Sequence, residues 1–408
     1  MARSHWRSRD FLALAAASVV LGLGYQLYSL DFPLLINQIS ARSPVAMGAL
    51  KGIEFLPNML LAMLIGVVVD RVSKRRFISA VTAVRAVVLL GVFALLAGGT
   101  RSIPAILAAG FIVSAVVYAY HNARMSIMKL VFDRAELMAV NGSFSMLEQV
   151  VAIAGPAAAG LTLTVLPLRD GVLVIAATAV AGLLLLRAMR FSDPPPERKG
   201  TFLVDLRAGW TELKGNQLLL SLSIVVVFLN STEGSFEAMF IYFAKDRLGV
   251  GPAELGLFLM LLSAGAAAGA AVAARLRAAL GLGHLFMLSI AGMGAGYLLM
   301  AVGRGIVPTA VSLLLVGFSS MVLSVGIWSF RQESTPPELI GRVSGLTGSI
   351  FKLGMPFAIF ASGFAATAIG ARGIFIVCAA VNALVVLYFF ASPLRRAGRP
   401  AVQGSAAT

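Results

Sequence analysis

The chain has little of what a water-facing protein needs. Only 12% of its 408 residues are charged, against 59% hydrophobic, and mean hydropathy is +0.91. A soluble fold of this length could not cover its surface with so few charges, which places the chain in lipid. One cysteine, Cys378, excludes an internal disulfide and a cysteine metal cluster. No His/Cys/Asp cluster with metal spacing, no phosphate loop and no Ser-His-Asp arrangement stands out, so neither an enzyme nor a metal or cofactor site is expected. Acidic residues are also scarce, 18 against 33 Lys and Arg, leaving a net charge of +15. Those cations lie in short loops between apolar runs, where membrane topology explains them, so no nucleic-acid partner is expected.

What is present is a series of long apolar runs. Spans are predicted near 11–36, 47–69, 77–98, 104–128, 139–166 and 171–189, then 218–243, 253–274, 284–303, 308–330, 343–366 and 371–391. The basic start precedes a run too long for a signal-peptide core, so it reads as a retained first span. Alternating the loops between two sides puts cations such as Arg71, Lys74, Arg75, Arg76, Arg124, Arg187, Arg277, Arg342 and Arg395 together. The other side receives only Arg42, Arg101, Arg169, Lys245, Arg247, Arg304 and Arg372, a skew of about three to one. Both termini are therefore expected on the cytoplasmic side of a cytoplasmic (inner) membrane, in a multi-pass chain.

The segment from Arg190 to Gln217 divides the chain. Pro194, Pro195 and Pro196 cannot continue a helix, whereas Phe202, Leu203, Leu206, Trp210 and Leu213 recur at helical spacing. The expected organisation is an N-terminal six-helix bundle over 1–190, a cytoplasmic linker with an amphipathic helix over 191–217, a C-terminal six-helix bundle over 218–391, and a basic tail over 392–408. A weak repeat supports two halves: Asp133-Arg-Ala-Glu-Leu opens the fifth span, and Thr335-Pro-Pro-Glu-Leu opens the eleventh.

Gly66-Val-Val-Val-Asp70-Arg71-Val-Ser-Lys74-Arg75-Arg76 is a charged hairpin between two spans. It resembles the loop between the second and third helices of the major facilitator superfamily. Gly155-Pro156-Ala-Ala-Ala-Gly160 is similar to the Gly-Pro motif of exporters in that superfamily. The stretches around Asp133 and around Gln332-Glu-Ser-Thr-Pro336 look like the branch that holds macrolide and enterobactin (siderophore) efflux proteins. The resemblance implies an all-α integral membrane fold, twelve transmembrane helices in two pseudo-symmetric six-helix bundles. It also implies a cytoplasmic gate at Gly66, Asp70, Arg71, Arg75 and Arg342. The fourth span lacks the Arg-x-x-x-Gly signature of many proton-coupled drug antiporters.

Charges inside lipid are costly, so each one is a functional candidate. Counting about 1.5 Å per residue places Arg85, Glu148 and Lys352 roughly 12–14 Å deep. Glu233 and Glu148 are the expected proton-coupling carboxylates. Gln26, Asn230, Glu237, Lys352 and Trp328 are the expected substrate-cavity residues. Arg85 reads as a structural partner, and Lys51 with Glu54 as a local pair at i,i+3. His121, Asn122 and Arg124 read as headgroup anchors, while Asp31 reads as near the outer surface because Pro33 suggests a helix end. The expected activity is export of a drug-like compound or siderophore by alternating access in exchange for protons, by a monomer whose partners are substrate, protons and lipid. The alternatives are an importer or facilitator without proton coupling, or a carrier of lysophospholipid or chelated metal. A non-transporting membrane enzyme or sensor is the different-class alternative.

Overall fold

In lipid every backbone N–H and C=O must be satisfied within its own segment, and long apolar runs meet that condition as helices. The structure, a computed structural model, describes residues 6, 8–191, 193, 210–336 and 339–392. Among these residues it contains helices and turns and no strand. The helices are α1 (Arg9–Ile39), α2 (Pro44–Leu60), α3 (Ala62–Arg71), α4 (Lys74–Ala97), α5 (Ile103–Val131), α6 (Arg134–Val165) and α7 (Leu168–Arg187). They continue as α8 (Gln217–Asp246), α9 (Pro252–Val302), α10 (Ile306–Glu333), α11 (Ile340–Ile350) and α12 (Met355–Ala391). Serine begins several of them: the hydroxyls of Ser43, Ser73 and Ser102 accept from the Ala46, Arg76 and Ala105 amides at 3.3 Å each. Each bond satisfies one of the donors a helix start leaves open.

Nine stretches among the described residues are long and apolar enough to cross a membrane. Two of them, Pro252–Val302 at 51 residues and Val343–Ala391 at 49, far exceed the roughly 20 residues a bilayer needs. Each contains a glycine in a left-handed conformation that no helix tolerates, Gly281 (φ 72) and Gly370 (φ 69). The run predicted over 47–69 is interrupted at Leu61 and forms two shorter helices, α2 and α3. The first span corrects the sequence expectation, since α1 runs through Pro33, and Asp31 is fully buried instead of lying at the surface. A single interior proline is tolerated where neighbouring helices support the segment.

Two compact units emerge. The first gathers Met1–Gly200 with Glu233–Met260 and Lys352–Ile374. Within it α1 packs on α6 and α7, α4 on α5 and α7, and α2 on α5. Glycines let backbones touch: a Cβ at Gly160 would lie 2.5 Å from the Pro252 carbonyl oxygen, and one at Gly256 would lie 2.4 Å from that of Pro156. The Gly155–Gly160 motif is thus a helix-crossing surface, with Gly155 also seated against the Gln26 side chain.

The second unit comprises Thr201–Thr232, Leu261–Phe351 and Phe375–Thr408. Here α9 crosses α10 with equal closeness at Gly265 against Leu314 and Gly269 against Phe318. Buried Asn382 donates to the Thr232 hydroxyl at 3.1 Å. Asn230 donates to the carbonyl of Phe351 at 2.8 Å, where the helix that began as α11 has ended.

The surroundings of Gly66, the side chains of Asp70 and Arg342, most of the expected amphipathic linker and the tail beyond Ser392 lie outside the described residues. The end of that linker is described: Leu213 is buried, and the Lys214 ammonium lies 5.3 Å from the Trp210 ring centre.

Candidate functional site

Four helices of the first unit, α1, α4, α5 and α6, enclose a cavity of about 220 Å³. Its polar wall is unusual for a chain this apolar. Arg85 enters from α4, Tyr120, His121 and Arg124 from α5, Glu148 from α6, and Ser18, Tyr25 and Gln26 from α1. Helical spacing gathers them. Tyr120 and Arg124 are one turn apart on α5, while Ser18, Gly22, Tyr25 and Gln26 follow one face of α1.

Arg124 and Glu148 form an ion pair across α5 and α6. The Arg124 guanidinium also stands 5.2 Å from the centre of the Phe144 ring. Arg124 is not at the headgroup level expected from sequence but buried in this pair. Glu148 is therefore a partnered carboxylate. Between α1 and α5 the Ser18 and Tyr120 hydroxyls are 3.0 Å apart.

Arg85 behaves differently. Only 5% exposed, its one hydrogen bond runs from Nη1 to the Leu21 carbonyl at 3.4 Å. Its Nε and Nη2 have no acceptor, and no carboxylate pairs with it among the described residues.

A second polar group lies nearby in the same unit. Lys51 and Glu54 pair at 3.3 Å with both side chains nearly sealed, and the Tyr28 hydroxyl donates to Glu54 Oε1 at 2.6 Å. This is the local pair that i,i+3 spacing predicted, and the candidate Glu237 is half-buried on α8. Asp31 is sealed about one turn beyond Tyr28 on α1, beside Gly171 of α7, with neither oxygen hydrogen-bonded.

Of the remaining candidates, Gln26 lines the cavity, Lys352 is half-buried just beyond the end of α11, and Trp328 is 61% exposed. Glu233 is half-buried on α8 and engaged with neighbours.

At the charged hairpin, the structure adds a residue that sequence reading passed over. Asp193 accepts from the Ser73 hydroxyl and, at 3.0 Å, from the Arg75 amide, capping the start of α4. Partial burial pushes its carboxyl up, but these donors and the Lys74 amide outweigh that and hold it below the ordinary carboxylate value. The Arg75 guanidinium reaches back to the Arg187 carbonyl at 3.3 Å.

Residues 14–359 match the Major Facilitator Superfamily. The chain is 22% identical over 401 residues to macrolide efflux protein A of Streptococcus pyogenes, covering 93% of this chain and 96% of that one. Among solved structures, a bacterial homologue of the human lysosomal transporter Spinster superposes with a TM-score of 0.77 at 15% identity, covering 97% of this chain and 98% of that one. A bacterial homologue of the iron transporter ferroportin gives 0.75 at 16% identity, covering 95% and 99%. At these identities the structural likeness carries the fold alone. The chain belongs to the Major Facilitator Superfamily, and it is a multi-pass membrane transport protein rather than an enzyme.

Proposed function

We propose that this transporter moves a small organic molecule outward across the cytoplasmic membrane by alternating access, holding part of it in the cavity walled by α1, α4, α5 and α6. One observation carries the reading. The cavity holds Arg85, Arg124, Glu148 and His121 among membrane-spanning helices, where ionisable groups are kept only for function or pairing. The outward direction follows the S. pyogenes relative, whose name describes macrolide efflux.

Twelve spans fit this reading. The breaks at Gly281 and Gly370 each divide one overlong helix into two crossings, and α2 with α3 makes a single one. The loop-cation skew then leaves both termini in the cytoplasm. The glycine contact of α6 with α9 is a seam that must part and re-form as access alternates.

Coupling through protonation of Glu148 would require its carboxyl to leave Arg124 in one state. Exchange without proton coupling is the simpler form, and Glu148 then serves to keep Arg124 in place.

Counterflow in everted vesicles tests the reading. Vesicles are preloaded with an unlabelled macrolide or lysophospholipid and diluted into the labelled compound, with no imposed proton gradient. The expected result is a transient overshoot of label, lost when Val117→Trp fills the cavity. The reading fails if neither compound gives an overshoot, or if the overshoot survives Val117→Trp. An overshoot that appears only with a proton gradient would restore the antiport form.

A further inference from the structure

We infer that the cavity around Arg85 is an anion subsite, which receives a carboxylate or phosphate monoester carried on an apolar body. The inference deepens the transport reading above and rests on it, since it names the chemical class of the solute.

Burying a guanidinium without an anion is among the more expensive things a fold can do. The chain does so at Arg85, with Nε and Nη2 lacking any acceptor. Both nitrogens are sealed in this state, so an anion reaches them only as the cavity wall shifts; it then breaks no existing bond at either, and the planar fork of those donors matches the paired oxygens of a carboxylate or phosphate. The other ionised groups of the cavity, Arg124 and Glu148, cancel in their pair. The guanidinium left without a carboxylate partner in the cavity is that of Arg85. Tyr25, Tyr120 and Ser18 add hydroxyl groups to the cavity lining.

Size narrows the ligand further. At about 220 Å³ the cavity is smaller than the roughly 300–1,000 Å³ that a whole drug-sized molecule occupies. It suits the charged end of a molecule and the first part of an apolar chain. Val19, Val81, Val116, Val117, Leu147 and Val151 supply the apolar part of the lining. The implied solute is an amphiphilic anion.

Binding to the full chain in phosphatidylcholine nanodiscs tests the subsite, with dodecyl phosphate, dodecanoate, uncharged dodecanol and inorganic phosphate as probes. Dodecyl phosphate and dodecanoate are expected to bind roughly tenfold to a hundredfold more tightly than dodecanol, the increment of one charge-assisted hydrogen-bonded contact. Arg85→Gln should erase that preference, bringing the charged probes to the level of dodecanol, and Arg85→Lys should keep part of it. Competition by inorganic phosphate alone at equal concentration would assign the site to a free anion and overturn the amphiphile. Equal affinity of wild type for charged and neutral probes would overturn the anion subsite without any variant, so misfolding of Arg85→Gln cannot rescue it. The transport reading is judged separately. Counterflow that is lost in Val117→Trp but indifferent to Arg85→Gln would leave the carrier standing and remove the anion.

Discussion

Arg124 on α5 and Glu148 on α6 share an ion pair with unequal burial: the arginine side chain is 7% exposed and the glutamate 46%. The two ends of the pair therefore differ in what their loss leaves behind. Glu148→Ala strands a buried guanidinium, whereas Arg124→Met leaves a carboxylate that already meets solvent. Glu148→Ala is expected to cost about 2–4 kcal/mol and Arg124→Met about half of that. Thermal unfolding in detergent reads the order, and the double variant should recover much of the loss. Equal effects of the two single changes would mean that the pair does not hold the cavity wall.

Lys51 and Glu54 make the opposite case, because both are sealed. Lys51→Met leaves the Glu54 carboxylate with the Tyr28 hydroxyl as its remaining partner. A loss of about 3–5 kcal/mol is expected, and Lys51→Met/Glu54→Leu should be milder than Lys51→Met alone. Chemical denaturation of the purified variants checks the ranking.

The glycine contact between α6 and α9 gives a steric prediction. At Gly256 a methyl group would meet the Pro156 carbonyl at 2.4 Å, which only backbone movement can relieve. Gly256→Ala should lower stability by about 1–3 kcal/mol and slow counterflow. Gly142→Ala, with nothing within 4 Å, is the control and should be neutral or slightly stabilising.

Asp193 supplies a pH dependence. Its carboxyl is held below the ordinary value of 3.8 by the donors at the start of α4. The stabilisation is therefore complete above about that pH, and it is lost as pH falls through the lower folded value. Protection of the amides in the first turn of α4, measured relative to their intrinsic exchange rates, should be high near neutrality and fall in acid. Asp193→Asn should bring the lower protection to neutral pH and flatten the dependence. The other caps of the hairpin, Ser73 included, do not titrate in this range.

The membrane class and most helix positions are legible because hydropathy and length are properties of single segments. The Lys51–Glu54 pair is legible for the same reason, since i,i+3 spacing fixes it within one helix. Arg124 with Glu148 is not, because the rotation of α5 against α6 decides which faces meet and no periodicity encodes it. Asp31 was misplaced because Pro33 reads as a helix end, although packing by neighbouring helices carries α1 past it. Asp193 lies after a helix, and only the return of that segment to Ser73 and Arg75 reveals it as a cap.

Sided labelling of one cavity residue decides the transport reading. His121 is exposed and lines the cavity, and the native Cys378 is buried and can be replaced by serine. In a Cys378→Ser/His121→Cys chain, a membrane-impermeant maleimide is applied to one face of the vesicle at a time. Alternating access requires that the reagent reach the cavity cysteine from either face, with solute shifting the balance between them. Labelling from one face alone, whatever solute is present, would contradict it.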